Sequence, residues 1–341
     1  MNRDKKWIRF IVLLFSLLMS VFPVLIGAEA PITLPPQAIP FIDTMVKQHH
    51  FDREQLKLLL TKARYDKDVI TKITHPHEEK PWNIYRNYFI TEQRIQEGVR
   101  YWEAHKEALT YAQRHYGIPA SLIVAIIGVE TNYGKNKGEH SAFDALTTLA
   151  FYYAQRSPFF TKELTHFLLL TQEQHFPVLF IKSSYAGALG IPQFMPSVYR
   201  QYAVHYTHNN GKNRADLIDN DNDAIVSIAN YLHRHGWKKN QPIACLLDAK
   251  TAWDGRWVSS SKIQLKKTIR QFKKMGIYPV ISIVDWQKAA IVELDASGNK
   301  EHWFAFHNFK VLMSYNPRIV YTMAVYQLSE MIQQTYEQKT A

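Results

Sequence analysis

Residues 121–135 read SLIVAIIGVETNYGK. The apolar run from Leu122 to Val129 does not end in a solvated turn; it ends in a carboxylate, Glu130. With a helical period, Ile123, Ile127 and Glu130 share one face at i, i+4 and i+7. Gly134, one turn later, reads as the helix stop. A carboxyl held among apolar neighbours keeps its proton above the reference value of about 4.3, because burial penalises the anion. The competing reading is an ordinary helix-end Glu that swings out to water.

The wider chain gives this helix a large setting. It has 341 residues, 46% of them hydrophobic, enough for a sizeable core and two or three domains. Its formal net charge is +11. A basic surface suits nucleic acid, anionic lipid or an acidic cell-wall polymer. No nucleic-acid motif and no long Lys/Arg cluster is present, so a nucleic-acid partner is not expected.

The N-terminus narrows the compartment. Arg3, Lys5, Lys6 and Arg9 precede the apolar stretch IVLLFSLLMSVFPVLIGA, and AEA at 28–30 is a small-x-small cleavage signal. Residues 1–30 read as a secretory signal peptide cut after Ala30, which puts the protein in the periplasm with a net charge of +9. The stretch is long for a signal peptide, so an uncleaved membrane anchor is the alternative. No Cys follows it, which argues against a lipoprotein. Cys245 is the only cysteine, so the exported chain has no internal disulfide and depends on its core.

Along the chain, PITLPPQAIP at 31–40 reads as a linker or entry arm. Residues 31–115 form an N-terminal helical region with charged faces. Residues 116–240 are mostly helical, broken by Gly/Pro/Asn-rich loops at 134–141, 183–197 and 207–223. Between 241 and 307 come the short runs YPVISIVD, AAIVELD and HWFAFH around ASGNK, the pattern of a small antiparallel sheet. Residues 308–341 close with the amphipathic helix VYTMAVYQLSEMIQQTYEQ. No internal repeat or low-complexity tract interrupts this order.

Chemistry concentrates around SSYAGALGIPQFMPSVY at 183–199. A loop this rich in Gly, Pro and Ser brings backbone close to a ligand, with Gln193, Phe194 and Met195 among its side chains; it could equally be a structural turn. Downstream stand Tyr231, Tyr315, Asn316 and Tyr321. Tyrosine rings with amides suit a carbohydrate, stacking on sugar faces while bonding hydroxyl and N-acetyl groups. An isolated Tyr is otherwise a core residue.

VAIIGVETNYGK, FDALTTLAF, SSYAGALGIPQFMPS, SIANYLHRHGW and SYNPRIVYTMAVYQL occur in this order. Together they resemble the lytic murein transglycosylase B family, most strongly over 121–237 and 307–328. The resemblance implies a mainly α (α+β) fold: a lysozyme-like helical core, an added N-terminal helical region and a small antiparallel β domain. It implies non-hydrolytic cleavage of the MurNAc–GlcNAc β-1,4 bond of peptidoglycan, leaving a 1,6-anhydro-MurNAc end. Carried across, the catalytic acid falls on Glu130. The substrate contacts fall on Ser184, Gln193, Phe194, Tyr231, Tyr315, Asn316 and Tyr321. A monomer acting on glycan strands is expected, with membrane contact only through an uncleaved leader.

A lone carboxyl suffices for this chemistry. Protonated Glu130 gives its proton to the glycosidic oxygen while the substrate's own N-acetyl group stabilises C1, a route that needs no second carboxylate. The ionised Glu130 then takes the proton of the C6 hydroxyl, which closes the anhydro ring. One group acting in both directions works best with a pKa of roughly 6–7. Asp144, the nearest acidic residue inside a motif, has a structural helical setting. Two rivals stay open: a lysozyme-type hydrolase in which water attacks, and a non-catalytic wall-binding protein, which would have no need of the acid.

The family's calcium loop departs here. Its oxygen-ligand positions fall on His208, Asn210 and Lys212, and an ammonium at such a position repels Ca²⁺. A loop begun at Asp219 in DNDND would have Ala224 for the turn Gly and Asn230 for the closing Glu, so Asp221 or Asp223 reads instead as a helix N-cap. No tight calcium site is expected. His75, His77 and the other histidines show no metal-ligand spacing, which argues against a metal hydrolase.

Overall fold

The computed structural model describes residues 34–75, 81–206, 214–248, 255, 257–259, 262–296 and 298–341. The signal-peptide reading of 1–30, His77, and the calcium-loop positions His208, Asn210 and Lys212 lie outside the described residues. Six helices come first: α1 Ala38–His49, α2 Arg53–Leu60, α3 Lys67–Thr74, α4 Trp82–Phe89, α5 Glu92–Ala104 and α6 Lys106–Tyr116. Short polar side chains start several of them. Asp52, Asp66 and Thr91 accept the backbone N–H of Gln55, Val69 and Arg94, each such cap contributing about 1 kcal/mol. The entry arm is shorter than its Pro content implied. The chain turns helical at Ala38, which is fully buried, and its N–H already bonds the Pro35 carbonyl.

The opening stretch forms α7, Ala120–Thr131. Eleven of its twelve residues are buried, and Glu130 is the exception. The helix stops before Gly134: Asn132, Tyr133 and Gly134 take left-handed φ values of 50°, 61° and 77° in succession. Tyr133 can hold that conformation because its ring fills the space over Gly128 and its hydroxyl donates to the Arg94 carbonyl at 2.7 Å. The core continues through α8 Ala142–Tyr152, α9 Ser157–Gln174, α10 Pro196–Tyr202 and α11 Asp221–Arg234. Two-residue strands β1, His140–Ser141, and β2, Lys182–Ser183, pair antiparallel between them.

The N-cap of α11 is Asn220, not Asp221 or Asp223. The aspartates are engaged elsewhere. Asp223, 1% exposed, accepts the Tyr206 and Asp216 N–H groups and faces His205. Asp221 accepts the Tyr101 hydroxyl.

A five-stranded antiparallel sheet follows, built from β3 Ala244–Asp248, β4 Lys267–Thr268, β5 Tyr278–Pro279, β6 Lys288–Ala296 and β7 Asn299–Ala305, in the order β4-β6-β7-β3-β5. AAIVELD and HWFAFH pair as β6 and β7 around the expected turn. YPVISIVD does not make a full strand: it pairs with β3 at Tyr278 and Pro279 and adds one bond from the Val280 N–H to the Leu246 carbonyl before leaving the edge. The helix α12, Ile269–Lys274, was not legible in the sequence pattern. The sheet is covered on both faces. Ala290, Val292 and Leu294 join the helical core, while Ala289 and Ile291 pack with Phe272 of α12 and with Phe304. Finally α13, His307–Leu312, leads to α14, Ile319–Thr340, which returns along α7, α5 and α4.

Candidate active site

The carboxylate of Glu130 is aimed by ties on the C-terminal end of α7. Arg94 donates to the Gly128 carbonyl. The Thr131 hydroxyl bonds the carbonyls of Ile127 and Ile191 at 3.2 and 3.1 Å and accepts the Gly134 N–H. These bonds join the helix end to the 183–195 loop. From the other side, α14 brings the Tyr321 hydroxyl to Glu130 Oε1 at 2.5 Å. Burial, then the charge of Glu130, pushes Tyr321 well above the ordinary tyrosine range. Its O–H therefore stays protonated and donates to the carboxylate.

Glu130 lies at the junction of two hollows. One, of about 640 Å³, is lined by α4 (Ile84, Tyr85, Tyr88, Phe89), by Ser184, Tyr185 and Gln193 of the loop, and by Tyr315, Asn316 and Tyr321. The other, of about 420 Å³, shares Glu130, Ser184, Tyr185 and Gln193, and is closed by Lys72, His75, Asn136, Glu139 and His140. A groove thus runs past the carboxylate on both sides, lined chiefly by aromatic rings, amides and hydroxyls. Such walls suit a polysaccharide strand.

Backbone contacts hold the loop in place. Ser184 Oγ accepts the Ala186 and Ala188 N–H groups, and Leu189 and Phe194 exchange both backbone bonds. Gly190, at φ 66°, lies so near the Leu217 carbonyl that a Cβ would sit 2.1 Å from its oxygen. Gln193 is left-handed at φ 50°, its amide donating to the Gly190 and Lys137 carbonyls. Behind the loop stand the remaining rings. Tyr315 donates to the Pro192 carbonyl at 2.5 Å and stacks parallel to Tyr321. Burial, then the Glu130 charge, raises Tyr315 well above the usual range.

Of the residues singled out in the sequence, Glu130, Ser184, Gln193, Tyr315, Asn316 and Tyr321 come together on the cleft wall. Phe194 and Tyr231 do not reach it. Both are buried, with rings 5.5 Å apart and each packed on Tyr315, and the Tyr231 hydroxyl is used on the Ser314 carbonyl. They back the wall that Tyr315 presents. Asp144 is structural: its carboxylate accepts the Arg64 N–H, away from the cleft. The face of α4 was missed, although Tyr85, Tyr88 and Phe89 fall at i, i+3 and i+4 and could have been read as one aromatic surface.

The described acidic residues next to the calcium-loop positions have protein partners of their own. Asp219 is ion-paired with Lys137 at 2.6 Å, Asp216 caps its own turn, and Asp221 and Asp223 are engaged as above. Among the described residues no group of three or more His, Cys, Asp and Glu side chains could hold a metal ion.

The sequence and the fold are similar to those of known proteins. A family model described as the transglycosylase SLT domain matches residues 36–330. The chain is 36% identical over 307 residues to the membrane-bound lytic murein transglycosylase B of Escherichia coli K12, covering 87% of this chain and 82% of that protein. The crystal structure of the soluble lytic transglycosylase SltB1 of Pseudomonas aeruginosa superposes with a TM-score of 0.81 at 36% identity, covering 88% of this chain and 99% of that one. SltB3 of the same organism, solved with NAG-anhNAM-pentapeptide, gives 0.76 at 25% identity, covering 87% and 79%.

Proposed function

The chain belongs to the transglycosylase SLT domain family of lytic murein transglycosylases, and from that premise we propose that Glu130 alone performs both proton transfers of a non-hydrolytic cleavage. The fold is mainly α with a lysozyme-like core, and the enzyme cleaves peptidoglycan. One observation carries the single-carboxyl reading: Glu130 is the one carboxylate among the described residues lining the 640 Å³ hollow. Protonated Glu130 gives its proton to the oxygen between MurNAc C1 and GlcNAc C4, and that C1–O bond breaks. The N-acetyl group of the substrate stabilises C1. Glu130 then takes the proton from the C6 hydroxyl as O6 bonds C1. No water is consumed, and a 1,6-anhydro-MurNAc end remains. A relative bound to NAG-anhNAM-pentapeptide supports this product.

Ser184, Gln193, Tyr315 and Asn316 hold the sugars in this reading, with Phe194 and Tyr231 stiffening the wall behind them. Tyr321 bonds the carboxylate and steadies it between its two tasks. Water attack is the second reading, because Glu139 lines the adjoining hollow and is a carboxylate that could activate water. Mass spectrometry of muropeptides after digestion of purified sacculi separates the two. Anhydro ends are expected, unchanged in Glu139→Gln; reducing MurNAc ends that disappear in that variant would establish hydrolysis.

The protein acts in this reading as a periplasmic monomer, released by cleavage after Ala30, which N-terminal sequencing of the exported form checks. It works without calcium. A ligand bound only by the native state adds about 2.7 kcal/mol at a hundredfold excess over its Kd. EDTA and millimolar Ca²⁺ should therefore both leave the melting temperature unmoved, and a rise of several degrees with Ca²⁺ would overturn this.

A further inference from the structure

We propose that the loop after β5, with its basic surroundings, is a docking face by which this enzyme rests on an anionic lipid surface. The inference goes beyond the catalytic reading and is independent of any N-terminal anchor. Half of residues 275–286 are large exposed apolar side chains: Met275, Tyr278, Val280, Ile281, Val284 and Trp286, with Ile281 57% and Trp286 69% exposed. Exposed hydrophobic residues scattered singly are ordinary; a contiguous group marks a contact.

The loop cannot simply fold these residues inward. Ile277 and Ile283 are buried between them, and Gln287 just after them. The backbone is bonded on both sides, Val280 N–H to the Leu246 carbonyl at 3.0 Å and Arg270 N–H to the Asp285 carbonyl at 2.9 Å. The apolar tips are held outward by a fixed frame.

Charge identifies the occupant. Residues 262–288 carry Lys262, Lys266, Lys267, Arg270, Lys273, Lys274 and Lys288 against one acidic residue, Asp285. That acid is already paired with Lys273 and Arg270. Aliphatic tips and an exposed Trp beside Arg270 and Lys273, which reach the loop through Asp285, and beside Lys288, which follows it in the chain, match the interface of an anionic bilayer, where acyl chains receive the former and lipid phosphates the latter. A protein partner fits less well, since lysine is depleted at protein interfaces. Stem-peptide carboxylates would satisfy the lysines but give Val280, Ile281, Val284 and Trp286 nowhere apolar to go. A strand-adding peptide is disfavoured as well, because the edge strand β5 is two residues long and includes Pro279. No helix among the described residues is long and apolar enough to cross a membrane.

The test uses the chain beginning at Pro31, which contains every described element and both apolar cores but not the apolar N-terminal stretch. It is sedimented with vesicles of phosphatidylglycerol and phosphatidylethanolamine, or of phosphatidylcholine alone, at about 0.1 M NaCl. Binding to the anionic vesicles only is expected. Combined Ile281→Ser, Val284→Ser and Trp286→Ser should weaken it by roughly tenfold or more, as should Lys274→Glu with Lys288→Glu. Cleavage of short soluble glycans should not change in either variant. Should the triple variant fail to fold by circular dichroism, Trp286→Ser alone gives the same reading with a smaller loss. Failure of the parent to bind anionic vesicles would overturn the proposal. So would undiminished vesicle binding by the serine variants, or a defect confined to sacculus capture.

Discussion

Glu130 accepts a hydrogen bond from a tyrosine 191 residues away, and that bond shapes what each substitution should do. Glu130→Gln keeps the shape and can still accept from Tyr321, but it can neither give nor recover a proton. Loss of a general acid costs about 10²–10⁴-fold, and because one group serves twice in the proposed route the loss should reach the top of that range, with the melting temperature nearly unchanged. A variant keeping a tenth of the parent rate on sacculi would remove Glu130 from the role. Tyr321→Phe deletes a donor that favours the anion. The carboxyl then holds its proton more tightly, so the pH at which activity declines on the alkaline side should move up. The rate should fall by about ten- to a hundredfold, the value of a hydrogen bond to a charged group. An unshifted pH profile would reduce Tyr321 to packing. The sequence motifs supplied both residues, yet no local pattern could show that they touch. For the same reason the resemblance puts Phe194 and Tyr231 on the sugar, whereas depth places them behind Tyr315.

Between elements, the ties that matter join α3 to β1 beside the cleft. Asp66 caps α3 through the Val69 N–H and also accepts from His140 at 2.8 Å. Burial opposes its ionisation, but the bonds from His140 and Val69 prevail and hold the carboxyl below its ordinary value. A depressed carboxylate stabilises the fold above the unfolded value near 4, and this contribution is lost as pH falls through the lower folded value. Asp66→Ala should cost about 1–2 kcal/mol in urea unfolding at neutral pH, and that deficit should shrink as the acid limb is approached. A deficit constant with pH would mean that the carboxylate charge is not what acts. Most helices were legible because their apolar spacing and caps agree. The α12 helix was not, being only six residues between two short strands. YPVISIVD misled for a physical reason: beyond Val280 it leaves the β3 edge, and of its apolar side chains only Ile283 is buried.

Across the whole molecule, the covering of both sheet faces explains why residues 241–307 read as a separate domain in sequence yet share a core with the helices. β6 carries one apolar row for each side. A run read for alternation alone shows a strand, not what lies above and below it. The net charge of +11 is likewise legible as a sum but not as a distribution. Peptidoglycan stem peptides carry carboxylates, so a strongly basic enzyme should be drawn to whole sacculi over a distance. Exposed charges more than about 8–10 Å apart are screened near physiological salt, so capture on sacculi should weaken as NaCl rises from about 0.05 to 0.5 M. The contacts proposed for Gln193, Tyr315 and Asn316 are short and local, and raising the salt leaves them largely intact. Cleavage of short soluble glycans without stem peptides should therefore respond far less to salt than binding to sacculi, measured by pull-down beside product release. If both fall together, the lysines and arginines serve solubility, and the attraction to the wall resides in the cleft alone.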